Sequence, residues 1–228
     1  PHDGIPDPLW SRGLGDVYKR QLWPSTNVNG FNILLDAGAD IKADAHDLCQ
    51  YTAMGVSYAK SGFNIETPRV GILNVGTEDH KGSSELLKAS DIIENLSSIL
   101  GFKFIGYVEG DDIPSSKIDV IVTDGFTGNI ALKTGEGTAT LVRTLFKETF
   151  TNSFLAKIAS FLAFKSLKNL RKRIDPRRVN GGVFLGLNGT IVKSHGGADA
   201  IGISAAITLA SKLAKNNFQK NLENKVLQ

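Results

Sequence analysis

Glycines and small polar residues cluster in the segment DGFTGN, residues 124–129, which follows the apolar run IDVIV, residues 118–122, with only Thr123 between them. Gly125 and Gly128 allow another group to approach the backbone closely, and Thr127 and Asn129 carry side-chain hydrogen-bond donors. A helix is predicted to start here, and the free N–H groups and dipole at a helix start favour an anion. The pattern predicts a phosphate-binding turn; a tight chain connection is the alternative.

Two basic side chains in glycine-bounded loops are further candidates for catalysis. Lys81, in NVGTEDHKG, has the charge to bind phosphate or a developing oxyanion, although a solvated surface lysine is the alternative. His195, in KSHGG, is of a type that protonates a leaving group or orients phosphate near neutral pH. His80 is interpreted as an exposed loop residue. Because phosphate is itself a nucleophile, such a site needs positioning and charge neutralisation rather than a serine or cysteine triad.

No metal site is predicted from the remaining polar residues. Acidic residues follow two of the predicted strands, and they are interpreted as helix caps or solvated groups. These residues are Glu78, Asp79, Glu109, Asp111 and Asp112. Cys49, the single cysteine, lies within a predicted helix, where a small buried thiol is expected, and zinc-ligand spacing is absent from the sequence.

These candidate residues follow a repeating pattern of apolar runs and helical segments. Strands are predicted at residues 31–36, 69–75, 102–108 and 118–123, and helices at 44–60, at 84–100 and from about residue 129. Alternation of apolar strands with helices predicts an α/β fold with a mainly parallel sheet and helices on both faces. In such sheets ligands bind at the carboxyl ends of the strands, where the glycine-rich segments lie.

Composition indicates an ordinary globular protein, with 41% hydrophobic and 21% charged residues. The longest apolar stretches are too short for the ~18 residues that a membrane span needs. One cysteine is compatible with a cytoplasmic location. Residues 1–21 contain three of the seven prolines and are interpreted as an extraneous or disordered leader.

The segment 138–173 stands apart in charge. Between residues 143 and 173 the net charge is +7, against +3 for the whole chain, so the remainder is −4. Its phenylalanines and leucines at helical spacing predict a basic amphipathic helical hairpin with a break at residues 151–153. The residues assigned to this surface are Phe154, Leu155, Ile158, Phe161, Leu162, Lys157 and Lys165. A membrane surface or an acidic partner fits it. Packing on its own core or on a second subunit is the alternative, and nucleic acid ranks last.

The chain is thus predicted to divide into the leader, an α/β domain formed by residues 22–137 and 174–228, and the hairpin 138–173. Several of its motifs, in this order, resemble the bacterial phosphate acyltransferase (PlsX) family. They are LLDAGAD (34–40), NVGTEDHKG (74–82), VEGDDI (108–113), DGFTGNIALKTGEG (124–137), LGLNG (185–189) and SHGGADA (194–200). The resemblance extends from about Trp23 to about Lys215.

This resemblance implies transfer of a long fatty acyl chain from acyl carrier protein to inorganic phosphate, which forms acyl phosphate for phospholipid synthesis. It implies a three-layer fold similar to isocitrate and isopropylmalate dehydrogenases, without a metal or cofactor. It also implies a homodimer formed through the hairpin, peripheral contact with the inner face of the bacterial membrane, and glycerol-3-phosphate acyltransferase as a downstream partner. Lys81, Asn129 and His195 are then the expected catalytic residues.

The sequence departs from the family at its amino-terminal side. The family's first strands and their glycine-rich DAMGGD-type motif are absent, so the chain is expected to carry only part of the active site. Two alternatives remain open: an inactive fragment that dimerises and binds membrane, or an enzyme of related fold such as a dehydrogenase or phosphate acetyltransferase. Against a dehydrogenase, the sequence lacks the GxGxxG motif with a downstream acid.

Overall fold

Apolar runs form the centre of a seven-stranded sheet in the computed structural model, which describes residues 18–78, 80–173, 182–185, 189–194 and 199–216. The strands are β1 (Tyr18–Pro24), β2 (Phe31–Leu35), β3 (Arg69–Leu73), β4 (Lys103–Val108), β5 (Val120–Val122), β6 (Gly182–Leu185) and β7 (Ile191–Lys193). The helices are α1 (Ala45–Phe63), α2 (Ser84–Leu100), α3 (Gly125–Thr151), α4 (Phe154–Leu162), α5 (Phe164–Arg173) and α6 (Ala200–Lys215).

The strand order is β4-β3-β5-β2-β1-β6-β7. The four predicted strands correspond to β2, β3, β4 and β5, and these pair in parallel. β1 pairs antiparallel with both β2 and β6, and β7 pairs antiparallel with β6. The sheet is therefore mixed and mostly parallel, which confirms the predicted α/β class. Because β2, β3, β4 and β5 point the same way, the loops that follow them emerge at one edge of the sheet.

The strand β1 begins at Tyr18, inside the segment that the sequence assigned to a leader. Residues 18–21 thus belong to the sheet, and the boundary predicted at residue 21 differs from the structure. The physical reason is pairing: β1 lies between β2 and β6, so its backbone groups bond to both neighbours. Residues 1–17 lie outside the described residues.

Two apolar clusters hold helices against the sheet. On one face Tyr51 and Ile93, from α1 and α2, pack with sheet residues such as Val120. This packing is close, since a Cβ at Gly55 of α1 would lie 2.6 Å from Cγ1 of Val120. The second cluster contains Leu34 and Ile121 of the sheet, and Ala131 of α3 packs against this cluster.

A polar network joins the amino ends of β2, β3 and β5, on the edge opposite to the glycine-rich loops. Asp119 is 6% exposed and accepts hydrogen bonds from Nε of Arg69 at 2.8 Å and from Nδ2 of Asn27 at 2.7 Å. Asn27 also donates to Oδ1 of Asn32. Burial alone would raise the pKa of Asp119, but the hydrogen bonds from Arg69 and Asn27 outweigh it and lower the pKa below its usual range.

The basic segment is helical, as predicted, and it contains three successive helices. α3 continues from the sheet edge across residue 138 to Thr151, so the predicted domain boundary lies within this helix. The predicted break separates α3 from α4, where Oγ of Ser153 caps the new helix by accepting from the N–H of Ala156 at 3.1 Å. Among the described residues, none of the helices has the length and apolar character needed to cross a membrane.

Candidate functional site

The turn between β5 and α3 is shaped by Asp124, which is the N-cap residue of α3. Its Oδ1 accepts from the backbone N–H of Thr127 at 2.8 Å, and its Oδ2 accepts from the hydroxyl of Thr127 at 2.6 Å. The carbonyl of Asp124 also accepts from the N–H of Gly128 at 2.9 Å. Both donors of Thr127 are therefore engaged within the turn. Capping of α3 by Asp124 accounts for both of these hydrogen bonds.

The first two backbone N–H groups of α3 belong to Gly125 and Phe126, and they differ in hydrogen bonding from the next two, which donate to Asp124. Within the described part of the chain, neither of the first two has a hydrogen-bond acceptor. Such unsatisfied N–H groups, at the positive end of a helix dipole, are the usual donors to a bound anion. The structure thus offers two backbone donors for phosphate. Sequence reasoning named Gly125 for the freedom of its backbone and did not consider the N–H of Phe126.

The two glycines of the turn are approached by the chain itself. A Cβ at Gly125 would lie 2.5 Å from Oδ2 of Asp36 and would also collide with the carbonyl oxygen of Asp40. A Cβ at Gly128 would collide with the carbonyl oxygen of Asp36. The first turn of α3 therefore packs directly on the loop that follows β2. This contact accounts for both glycines without a ligand.

Asp36 anchors this neighbouring loop. It is fully buried, its N–H donates to the carbonyl of Thr123 at 2.8 Å, and its Oδ2 accepts from the N–H of Ala39 at 3.0 Å and of Asp40 at 2.7 Å. A buried carboxylate thus orders the loop against the start of α3. The sequence motif LLDAGAD contains this residue, but the role of Asp36 was not predicted. An acid placed directly after an apolar strand was the available signal.

Asn129 is half-buried in the second turn of α3 and lies against the same loop. A Cβ at Gly38 would be 3.2 Å from its Oδ1, so the side-chain amide faces this glycine. Gly38 has a φ of +108°, which favours glycine for the backbone conformation as well as for the space. Gly125, Thr127, Gly128 and Asn129 are therefore brought together in one turn, packed on the loop after β2.

Lys81 lies in the loop that follows β3. Its Nζ is 2.7 Å from Oε1 of Glu78, and its carbonyl accepts from Nδ2 of Asn74 at 2.9 Å. Hydrogen bonding to Glu78, together with the negative charge of Glu109, raises the pKa of Lys81, so the ammonium is charged at neutral pH. The side chain is 42% exposed, which leaves it accessible to an anion.

The position of Lys81 relative to the α3 turn follows from the strand pairing. β3 and β5 are neighbours in parallel, with Ile72 opposite Val122, so the two following loops emerge side by side at the same edge. The hydrogen bonds of Lys81 are made with Glu78 and Asn74, which belong to its own loop and the end of the preceding strand segment. Lys81 and residues 125–129 are thus related by lying at the same edge of the sheet. Their convergence on one ligand stays a prediction. His80 is exposed, and His195 and Asp79 lie outside the described residues.

Among the described residues, one group of potential metal ligands occurs, at the start of α1. Carboxylate or imidazole atoms of Asp44, His46 and Asp47 lie within 4.8 Å of one another. Asp44 is the N-cap of α1, and with Asp47 it forms a capping box. The backbone hydrogen bond from Asp47 is the main cause that lowers the pKa of Asp44. Helix capping accounts for this cluster.

The apolar residues assigned to the hairpin surface are exposed on α4. The fractional exposures are 78% for Phe154, 77% for Leu155, 44% for Ile158, and 80% for both Phe161 and Leu162. Lys157 and Lys165 are exposed as well. The described part of the chain thus presents an apolar surface with basic residues beside it.

Two solved structures with a similar fold are phosphotransacetylases. The EutD phosphotransacetylase from Staphylococcus aureus superposes with a TM-score of 0.52 at 15% identity, over 89% of this chain and 56% of that one. A phosphotransacetylase from Streptococcus pyogenes gives a TM-score of 0.50 at 18% identity, with the same coverage. The class defined by the fold is therefore that of an α/β protein with the phosphotransacetylase architecture.

Sequence comparison then identifies the family. The family described as "Fatty acid synthesis protein" matches residues 20–221. The chain is 62% identical over 207 residues to a phosphate acyltransferase from Paracoccus denitrificans. This match covers 91% of the chain and 56% of that protein. The chain is 58% identical to a phosphate acyltransferase from Jannaschia sp., over 91% of this chain and 57% of that one. The chain belongs to this fatty acid synthesis family, and it spans little more than half the length of these relatives.

Proposed function

We propose that the protein takes part in transfer of a fatty acyl group from acyl carrier protein to inorganic phosphate, which yields acyl phosphate for phospholipid synthesis. The 58–62% identity to proteins named phosphate acyltransferase carries this proposal. The two unsatisfied N–H groups at the start of α3 support it, because they suit an anion at the ligand-binding edge of the sheet. An inactive fragment or a dehydrogenase is not favoured by these relatives.

The chemistry requires few groups from the protein. A phosphate oxygen attacks the thioester carbonyl carbon, the carbonyl becomes an oxyanion, and its collapse breaks the carbon–sulfur bond and releases the carrier's thiolate. We assign phosphate binding to the N–H groups of Gly125 and Phe126 and to Asn129. Lys81 neutralises phosphate or the oxyanion, and His195 protonates the thiolate. The work of such a site is positioning and electrostatic stabilisation.

Two features of the turn constrain this assignment. The carboxylate of Asp124 already accepts both donors of Thr127, so Thr127 has to exchange this partner if it is to bind phosphate. Lys81 likewise has to exchange Glu78 for an anion, and both side chains of that ion pair are exposed. An exposed ion pair is weak because both charges are well solvated, so a dianion can compete for the lysine.

The test compares two lysines that are similarly paired. Lys88 lies in an ion pair with Glu85 that has the same i,i+3 spacing as Lys81 with Glu78, and it is exposed. Lys81→Ala is expected to lower kcat/KM for phosphate-dependent thiol release from acyl carrier protein thioesters, by about 2–4 kcal/mol of barrier. Lys88→Ala is expected to leave it unchanged. Equal rates in both variants would remove Lys81 from the mechanism.

The assay is made in two forms of the protein, because the relatives are longer than the chain. One is the 228-residue chain, and the other is a chimera that adds the part of the Paracoccus denitrificans relative that the chain does not cover. We propose that the uncovered part completes a three-layer, dehydrogenase-like fold and the crevice, so the chimera is expected to be much more active. Misplacement by about 1 Å costs about two orders of magnitude. Equal rates would show that the chain alone forms the site.

We further propose that α4 and the basic residues around it attach the protein to the inner face of the membrane, as a homodimer. The exposed apolar side chains of α4 and the +7 charge of residues 143–173 support contact with an anionic lipid surface. The same charge favours docking of an acidic carrier protein. Delivery of acyl phosphate to glycerol-3-phosphate acyltransferase would then occur at the membrane.

A further inference from the structure

The side of α3 that continues from the candidate phosphate turn is apolar and open. Phe126 is 61% exposed, Ile130 is 52% exposed and Leu141 is 58% exposed. Gly137 lies between the last two, and a Cβ placed there would have no atom within 4 Å. At about 100° per residue, these four positions lie within about 60° of one another around the helix axis. We call these four residues the α3 stripe.

Charged residues border the stripe without interrupting it. Lys133 lies at its side, and its Nζ is 2.7 Å from Oε2 of Glu136, which is farther around the helix. Beyond Leu141, the first charged residue on the same side of the helix is Glu148, two turns farther along. The stripe thus has one end at the anion-binding turn and the other before an acidic residue. This polarity matches a ligand with an anionic head and an apolar tail.

We propose that the α3 stripe binds the fatty acyl chain, with the carboxyl end of the chain beside Phe126 and the terminal methyl group near Leu141. The inference rests on the proposed function, because it takes phosphate at the start of α3 as its reference point. Phe126 lies between the two residues Gly125 and Thr127 of that turn, so the apolar surface begins where the acyl phosphate forms. The stripe is therefore continuous with the candidate site.

The length of the stripe fits a long acyl chain. From residue 126 to residue 141 the helix advances about 22 Å, at about 1.5 Å per residue. Carbon–carbon bonds of about 1.5 Å advance about 1.25 Å each in an extended chain, so a sixteen-carbon chain spans about 19 Å. An eight-carbon chain spans about 9 Å by the same arithmetic and ends near Ile130. Chain-length preference is thus expected to depend on the far end of the stripe.

The test uses alkyl phosphonates of eight and sixteen carbons, each with a photoreactive diazirine at its last carbon, bound to the 228-residue chain. Cross-links located by mass spectrometry are expected near Leu141 for the longer probe and near Ile130 for the shorter one. Leu141→Glu is expected to weaken the longer probe at least tenfold and to leave the shorter one unchanged. Each lost methylene contact weakens binding by roughly fourfold.

The matched control is Val142→Glu, which puts the same charge on the adjacent residue, about 100° around the helix. Val142 is 36% exposed, and the variant is expected to bind both probes normally. Circular dichroism checks the fold of both variants. If the two substitutions weaken binding alike, or if Leu141→Glu weakens both probes equally, the end of the longer probe does not lie at Leu141 and the inference is overturned.

Competition with inorganic phosphate separates the inference from the proposed function. Cross-links along the stripe that phosphate does not displace would support an acyl site and argue against phosphate as the acceptor. If inorganic phosphate displaces the probe but the cross-links lie outside the stripe, the inference is overturned and the proposed phosphate site is supported.

Discussion

Substitution of Gly128 by alanine tests the contact that positions the candidate site. The added Cβ would collide with the carbonyl oxygen of Asp36, and would also lie 3.1 Å from Cγ2 of Thr123. Neither group is the end of a flexible side chain. The backbone of Asp36 is held at the sheet edge by the 2.8 Å hydrogen bond from its N–H to Thr123, so the collision is relieved only if α3 moves.

The magnitude follows from two opposing terms. Alanine is about 1 kcal/mol more favourable than glycine inside a helix. Overpacking in a rigid environment costs about 1–3 kcal/mol, and a backbone carbonyl places this site at the upper end. Gly128→Ala is therefore expected to lower the free energy of unfolding by about 2 kcal/mol.

Gly137 provides the matched control, because it lies in the same helix with no atom within 4 Å of an added Cβ. Gly137→Ala is expected to raise the free energy of unfolding by about 0.5–1 kcal/mol, so the two variants differ by about 3 kcal/mol. Urea unfolding followed by far-ultraviolet circular dichroism measures both. A Gly128→Ala protein as stable as the Gly137→Ala protein would refute the close approach between α3 and Asp36.

Two further perturbations address the opposite sheet edge and α4. Folding lowers the pKa of Asp119, so its ionised carboxylate stabilises the folded state. This contribution to the free energy of unfolding is complete above the unfolded pKa of about 3.9 and is lost as pH falls through the lower, folded pKa. Asp119→Asn is expected to lower the free energy of unfolding by about 1–3 kcal/mol at pH 7, measured by urea unfolding. It is also expected to make the free energy of unfolding less dependent on pH below pH 4. The same pH dependence in the variant and the original protein would contradict this. Leu155→Glu with Leu162→Glu is expected to abolish binding to anionic vesicles in flotation assays, whereas the control pair Ile92→Glu and Ile99→Glu on α2, whose side chains are 44% and 76% exposed, is expected to keep it. Monomers or aggregates from the α4 variant would instead indicate a dimer core.

Features set by neighbouring residues were predictable from the sequence. The strands β2 to β5 are predominantly apolar, and α1 and α2 begin at the polar caps Asp44 and Ser83. The break before α4 coincides with its cap Ser153. In each case the signal depends on a few consecutive residues, because burial pattern and capping act over one or two turns.

The sequence indicated the turn that forms the candidate site, but not the contacts made within it. A glycine-rich turn after β5 indicates the helix start, where the first N–H groups have no partner within the helix. It does not show that Asp124 takes both donors of Thr127, or that Glu78 pairs with Lys81. These partners compete with a ligand for the same donors, and their presence depends on the tertiary structure.

The sequence by itself determined the class of fold, the edge of the sheet where polar residues collect and the helical character of the basic segment. The tertiary structure decided that β5 lies between β3 and β2, that β1 joins the sheet antiparallel, and that Gly125 and Gly128 face Asp36. An apolar run reports that a strand is buried but carries no record of which strand lies beside it. Strand order and close backbone approach are set by the packing of segments far apart in the chain.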